Sequence, residues 1–160
     1  MRFFSTPSIG CSVVSPVGHI ILNLISSFEL ALKFNLFDDW MQRYEYMIEL
    51  GKSLPIIDSK NKIDDNIING CQSKVWVYAE LKENKVIYTA DSDAIITKGI
   101  IALLLRVFSN QHPSDILTAD TSFIDKIGLK EHLSPTRANG LLSMVKQLKM
   151  YAVAYQTQLK

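Results

Sequence analysis

Cysteine is scarce in this 160-residue chain, which holds only Cys11 and Cys71. Two cysteines make neither a disulfide framework nor a Cys-x-x-Cys metal motif. Lone thiols suit a reducing cytosol, so a cytoplasmic location is expected. Excess charge is missing too. The formal net charge is +1 and 21% of residues are charged, which gives no case for nucleic acid or an acidic membrane surface. Long hydrophobic runs are also absent. The richest, residues 17–37, is interrupted by His19, Asn23, Glu29 and Lys33, so no transmembrane helix and no membrane partner is expected. Ser8-Ile9-Gly10-Cys11 is faintly like a lipoprotein cleavage site. Only Phe3-Phe4 precede it as an apolar segment and Arg2 is its lone basic residue, which argues against a signal peptide. No repeat or low-complexity segment is present. What remains is a chain with 48% apolar residues, enough for one well-packed domain.

Hydrophobic spacing divides the chain into elements. Ile21, Ile25, Phe28 and Leu32 recur at helical spacing and predict a packed amphipathic helix. Asp38 or Asp39 can cap a second helix running to Leu50, with Gly51 as its stop and Pro55 forbidding continuation. Residues 53–69 read as a long polar loop with a helical turn near Asp64. Val75, Val77, Ala79 and Leu81 alternate with Trp76, Tyr78 and Glu80, which predicts a strand over Lys74–Leu81. Lys85–Ala90 returns as its antiparallel partner. A lone hairpin is barely stable, so a third strand or helices must cover it. The apolar run 94–109 predicts a core helix, with Asp91, Ser92 and Asp93 as cap candidates and Asn110 as its end. Gly99 costs that helix about 1 kcal/mol relative to alanine, which a close backbone approach would offset. Pro113 suits the first turn of a short helix, and Asp120 can cap another that Gly128 ends. Ser134-Pro135 starts a last helix reaching about Tyr155. The sum is an α+β domain: a small antiparallel sheet packed by helices.

One stretch carries a reactive group in a setting shaped for it, Asn69-Gly70-Cys71-Gln72-Ser73. A polar run leads in and a strand leads out, which places Cys71 on a loop tip held by a sheet. Gly70 allows a positive φ beside the thiol. Gln72 and Ser73 can shape the loop through side-chain to backbone hydrogen bonds. The competing reading of Cys71 is a small buried hydrophobe in a turn. His112 and His132 each neighbour a predicted helix end, where a histidine is more often structural than a base for Cys71.

Gly70-Cys71-Gln72-Ser73-Lys74-Val75-Trp76 resembles the signature of SufE-type cysteine desulfuration proteins. Asp39-Trp40 with Arg43-Tyr44, Asp91-Ser92-Asp93-Ala94 with Lys98-Gly99, and His132-Leu133-Ser134-Pro135-Thr136-Arg137 with Gly140-Leu141 resemble that family in order and spacing. The resemblance covers about residues 28–151. It implies a SufE/NifU-like fold over 28–155, an extension or mis-chosen start over 1–27, and a short tail over 156–160. It implies a sulfur carrier of Fe–S cluster biogenesis, with Cys71 accepting a persulfide and no turnover of its own. The donor implied is a SufS-type cysteine desulfurase, which owns the pyridoxal phosphate; the recipient is a SufBCD-type scaffold. The chain itself is expected to need no cofactor and no metal. By the same resemblance Arg137 and Asp93 face the sulfur-acceptor loop or the partner, against the alternatives of an ordinary surface arginine and a helix cap. Two other readings stay open: a cysteine-dependent hydrolase using Cys71, a histidine and Asp93, and a non-catalytic interaction module with an inert Cys71. A cluster scaffold is excluded, because it needs about three cysteine ligands.

Overall fold

A computed structural model describes residues 16–159. Cys11 and most of the anticipated extension lie outside them. The element order is α1 (Pro16–Asn35), α2 (Trp40–Lys52), β1 (Val75–Lys82), β2 (Lys85–Ser92), α3 (Ile95–Phe108), α4 (Pro113–Thr118), α5 (Ser122–Lys126), α6 (Leu129–His132) and α7 (Pro135–Gln158). Two single 3₁₀ turns, Ser59–Asn61 and Asp64–Asn66, punctuate the loop between α2 and β1. This is the helix-rich α+β domain that the periodicity predicts.

The core forms around α3, which is buried nearly all round. Its crossing with α2 is backbone on backbone. A Cβ on Gly99 would lie 2.8 Å from the Met47 carbonyl carbon, and one on Gly51 would lie 3.1 Å from the Gly99 nitrogen. Gly51 is therefore no helix stop. The helix runs through it to Lys52, and Ser53 caps the end by donating its N–H to the Leu50 carbonyl at 3.1 Å. Two glycines let the helices approach more closely than any side chain allows.

Helix α1 crosses the presumed boundary at Phe28 without a break and docks through Leu30 and Phe34, both buried. Of the predicted stripe, Ile21 and Ile25 lie outside the residues whose side chains are described, and the other two miss the core. Phe28 and Leu32 are exposed. In a helix apolar on several faces, spacing alone does not select the one that meets α3.

The strands pair from Val75↔Ser92 to Lys82↔Lys85; β1 is shifted by one residue from the predicted span, and β2 runs two residues past its predicted end. Glu83 and Asn84 both take positive φ, the two-residue turn whose twist matches a hairpin. No third strand joins them among the described residues. Single bridges at Ile56↔Ala90, Ile67↔Trp76 and Val86↔Gln111 satisfy the edges instead. Pro55 has no N–H to continue a ladder, and the Asp- and Asn-rich run beyond it turns rather than extends. Helix α7 buries Leu141, Met144, Leu148 and Ala152 and packs against α4 and α3 as well as the sheet. Three tyrosines lock the two together. Tyr88 donates its hydroxyl to the Leu148 carbonyl at 2.6 Å, Tyr151 to Val77 at 3.1 Å and Tyr155 to Ala79 at 2.7 Å.

Gly99→Ala is expected to destabilise the fold by about 1–3 kcal/mol through overpacking, although alanine is the better helix former. The urea unfolding midpoint measures it. An unchanged or raised midpoint would show that the α2–α3 crossing relaxes freely.

Candidate functional site

The Gly70–Ser73 loop is held at Cys71, Gln72 and Ser73. Before it, the Ile68 N–H donates to the Val75 carbonyl at 2.8 Å. Gly70 has φ of 92° and sits where a Cβ would lie 2.7 Å from Ser143 Oγ, so only glycine fits without strain. Gln72 Oε1 accepts from Thr136 Oγ1 at 3.1 Å, and Thr97 Oγ1 lies 3.4 Å from Ser73 Oγ. Beyond the loop, Asp93 Oδ1 accepts the Lys74 N–H at 3.0 Å and Ser92 Oγ donates to the Lys74 carbonyl at 2.9 Å.

Asp93 is therefore exposed yet structural at one oxygen, and neither it nor Asp91 caps α3. The N-cap is Ala94, whose N–H is taken by Ser92 Oγ at 3.3 Å. Asp91 instead pairs with Lys62 at 2.8 Å and Lys98 at 3.3 Å. Burial pushes its carboxyl up, but hydrogen bonds from Lys62, the Ser92 N–H and Lys98 outweigh that and hold it below the ordinary value. The strand reaches past Ala90 through Ser92, so the predicted capping triplet is spent on the sheet and on the loop.

Cys71 does not stand at an outer tip. It is half-buried in a notch between α3 and α7, its Sγ 3.7 Å from the Gly140 carbonyl oxygen. Thr97 and Ile100 of α3 line one side, and Thr136, Arg137, Gly140 and Met144 of α7 the other. Burial pushes the thiol above its ordinary pKa. That keeps it neutral at rest and suppresses attack.

Arg137 lies at the rim of this notch, exposed, in the first turn of α7. Its backbone N–H is capped by Ser134 Oγ at 3.4 Å. Its guanidinium has no acidic partner within ion-pair distance among the described residues. A cation near a helix N-terminus is electrostatically unfavourable, and nothing local compensates it. The structure thus brings Cys71, Gly70, Gln72, Ser73 and Arg137 together, with Asp93 one shell away on Lys74.

Neither His112 nor His132 lines the notch. His112 caps α4, its Nδ1 accepting the Ser114 N–H at 3.2 Å. His132 stacks on Trp40 with ring centroids 3.8 Å apart. Tyr44 donates to the His132 carbonyl at 2.6 Å, and the Arg43 guanidinium lies 5.0 Å from the Trp40 ring. The Asp39-Trp40/Arg43-Tyr44 motif thus braces the corner that leads into α7. Thr97, Ile100 and Met144 escaped the sequence reading, because helical spacing marks them only as core. Thr136 stood within a quoted motif without a role. No group of three or more His, Cys, Asp or Glu that fits a metal ion occurs among the described residues.

A family model described as the Fe–S metabolism associated domain, SufE, matches residues 28–152. The chain belongs to the SufE family. An uncharacterized SufE-like protein of Rhizobium meliloti is 39% identical over 124 residues, spanning 74% of this chain and 89% of that one. One from Synechocystis is 36% identical and spans 78% of each chain. The Arabidopsis thaliana SufE-like protein 1, named as chloroplastic/mitochondrial, is 38% identical over 78% of this chain and 34% of its own length. A hypothetical protein from Thermus thermophilus, solved in solution, superposes with a TM-score of 0.70 at 19% identity, covering 82% of this chain and 96% of that one. It shares the fold. Membership ties the chain to Fe–S metabolism. No helix among the described residues is long and apolar enough to cross a membrane.

Because only the thiolate is nucleophilic, alkylation of Cys71 follows its ionisation. In a Cys11→Ser background, the iodoacetamide rate of the native chain is expected to reach half its plateau at higher pH than that of the urea-unfolded chain. Coincident midpoints would mean that burial does not act on the thiol.

Proposed function

We propose that this chain is the sulfur acceptor and carrier of a cysteine desulfurase. The Cys71 thiolate attacks the outer sulfur of a persulfide on the desulfurase. A bond forms between Cys71 Sγ and that sulfur, the bond to the donor sulfur breaks, and the desulfurase leaves as thiolate. Cys71 then carries the persulfide to a cluster-assembly scaffold. The donor is of the SufS type and holds its own pyridoxal phosphate, the recipient is of the SufBCD type, and the exchange takes place in the cytoplasm.

The observation that carries this reading is a thiol, half-buried and held neutral, beside an arginine with no ion-pair partner among the described residues. A carrier gains from such a notch, because an exposed persulfide is readily reduced. With no second thiol in the notch among the described residues, nothing described there resolves the persulfide and releases sulfide. Arg137 offers an unneutralised cation to an acidic group on the donor or to the sulfur anion itself. A hydrolase would need a general base beside the thiol, and both described histidines are engaged elsewhere.

Incubation with a cysteine desulfurase, pyridoxal phosphate and L-cysteine is expected to add about 32 Da at Cys71, one sulfur on the oxidation ladder. Alanine release by the desulfurase accelerates at the same time. Cys71→Ser keeps the fold and loses both effects; equal stimulation by this variant would remove covalent transfer from the mechanism.

Arg137→Ala is expected to slow transfer about tenfold or more, the scale of one lost charge-assisted bond, with a melting shift of only a few degrees. Unchanged transfer with a large loss of stability would make Arg137 structural.

A further inference from the structure

The notch beside Cys71 has a feature that a hidden thiol does not require. Thr97 is buried, with 5% of its surface exposed, and yet it is polar. It sits in the first turn of α3 and lines the same notch as Cys71. Its hydroxyl reaches only Ser73 Oγ, at 3.4 Å, long for a hydroxyl pair. The site is otherwise apolar on this wall, where Ile100 lies one helical turn on. A buried hydroxyl with so weak a bond costs stability, and valine would fill the same volume without that cost.

The remaining cavity is about 10 Å³, room for roughly one water-sized atom. Gly140 helps to keep it open. A Cβ there would already touch Cys71 Sγ at 3.4 Å and Cβ at 3.7 Å. One added sulfur is the cargo that the proposed function requires. Inside an apolar wall that sulfur, which ionises readily as a perthiolate, would be forced neutral by desolvation unless a donor met it.

We propose that Thr97 is a sulfur-binding residue, whose hydroxyl turns from Ser73 and donates a hydrogen bond to the outer sulfur of the Cys71 persulfide, stabilising it there as the anion. The inference rests on the carrier reading for its biological use, though not for its test. Thr97 keeps its proton throughout and only the rotor moves. The other groups that face the sulfur are few. From α7 comes Arg137, the one charged residue lining the notch, with Thr136 bonded to Gln72; from the loop comes Gln72, which is neutral. Lys98, next along α3, is paired with Asp91. Thr97 and Arg137 are then complementary. One holds the sulfur from the buried side, the other attracts negative charge at the mouth.

The test charges Cys71 without any desulfurase. In a Cys11→Ser background, inorganic polysulfide passes one sulfur to the Cys71 thiolate and leaves one sulfur shorter, so no other oxidant or reductant is needed. Mass spectrometry confirms the charge, and ultraviolet absorbance of the perthiolate is titrated against pH. In Thr97→Val the midpoint is expected about one pH unit higher than in wild type, the scale of one hydrogen bond to a charged group. Thr97→Ser, which keeps the hydroxyl, is expected to restore the wild-type midpoint. Equal midpoints in wild type and Thr97→Val, or a Thr97→Ser midpoint displaced as far as that of Thr97→Val, would overturn the assignment. Should Thr97→Val not fold, Thr97→Ala set against Thr97→Ser gives the same comparison. Failure of a desulfurase to load Cys71 would count against the carrier reading and leave this titration intact.

Discussion

The site depends on the seating of one loop against two helices. Cys71 lies on Gly140 of α7, with Thr97 and Ile100 of α3 opposite, and every neighbour in the loop is tied to one helix or the strand. The notch therefore exists only when α3 and α7 stand at their native separation. That separation is set by the sheet. Three tyrosine hydroxyls fasten α7 to strand carbonyls and helix backbone, and the glycine crossing holds α2 against the far side of α3. The reactive part is small, but its geometry is inherited from the whole core.

Within the notch, two demands oppose each other. A sulfur carrier needs a thiolate at the moment of attack and a sheltered sulfur between transfers. Burial favours shelter, since it raises the thiol pKa. Under the proposed carrier function, activation has to come from displacement of the loop from Gly140, which would return the thiol to solvent. The bonds at Gln72 and Ser73 are single and long, 3.1 and 3.4 Å, and those are the contacts that such a movement breaks.

Polar residues around the site divide their labour in a way that their chemistry alone does not show. Asp91, Ser92 and Asp93 look alike as helix-cap candidates. One binds two lysines, one ties Lys74 and Ala94, and one accepts the Lys74 N–H. Ser92 and Asp93 fix the start of β1, and so the direction from which the Cys71 loop enters the notch, while Asp91 ties the α2–β1 loop to α3. The Trp40–His132 stack does the same for the start of α7, two residues before the Ser134 cap.

Local physics was sufficient for much of this in the sequence. Alternation of Val75, Val77 and Ala79 determined the strand, Ser134-Pro135 the start of α7, and Gly70 the turn beside Cys71, because each depends on contacts a few residues apart. The motifs in register determined the family. Other features were decided by tertiary structure. Gly51 reads as a stop until α3 is seen to press on it. Phe28 and Leu32 read as core until Leu30 and Phe34 take that face. A third strand was expected where single bridges suffice, since a proline and a turning polar run satisfy the edges without one. Thr97 stands 26 positions beyond Cys71 in the chain and carries no local mark. Its place beside the thiol is a contact between distant segments, which spacing along one segment cannot encode.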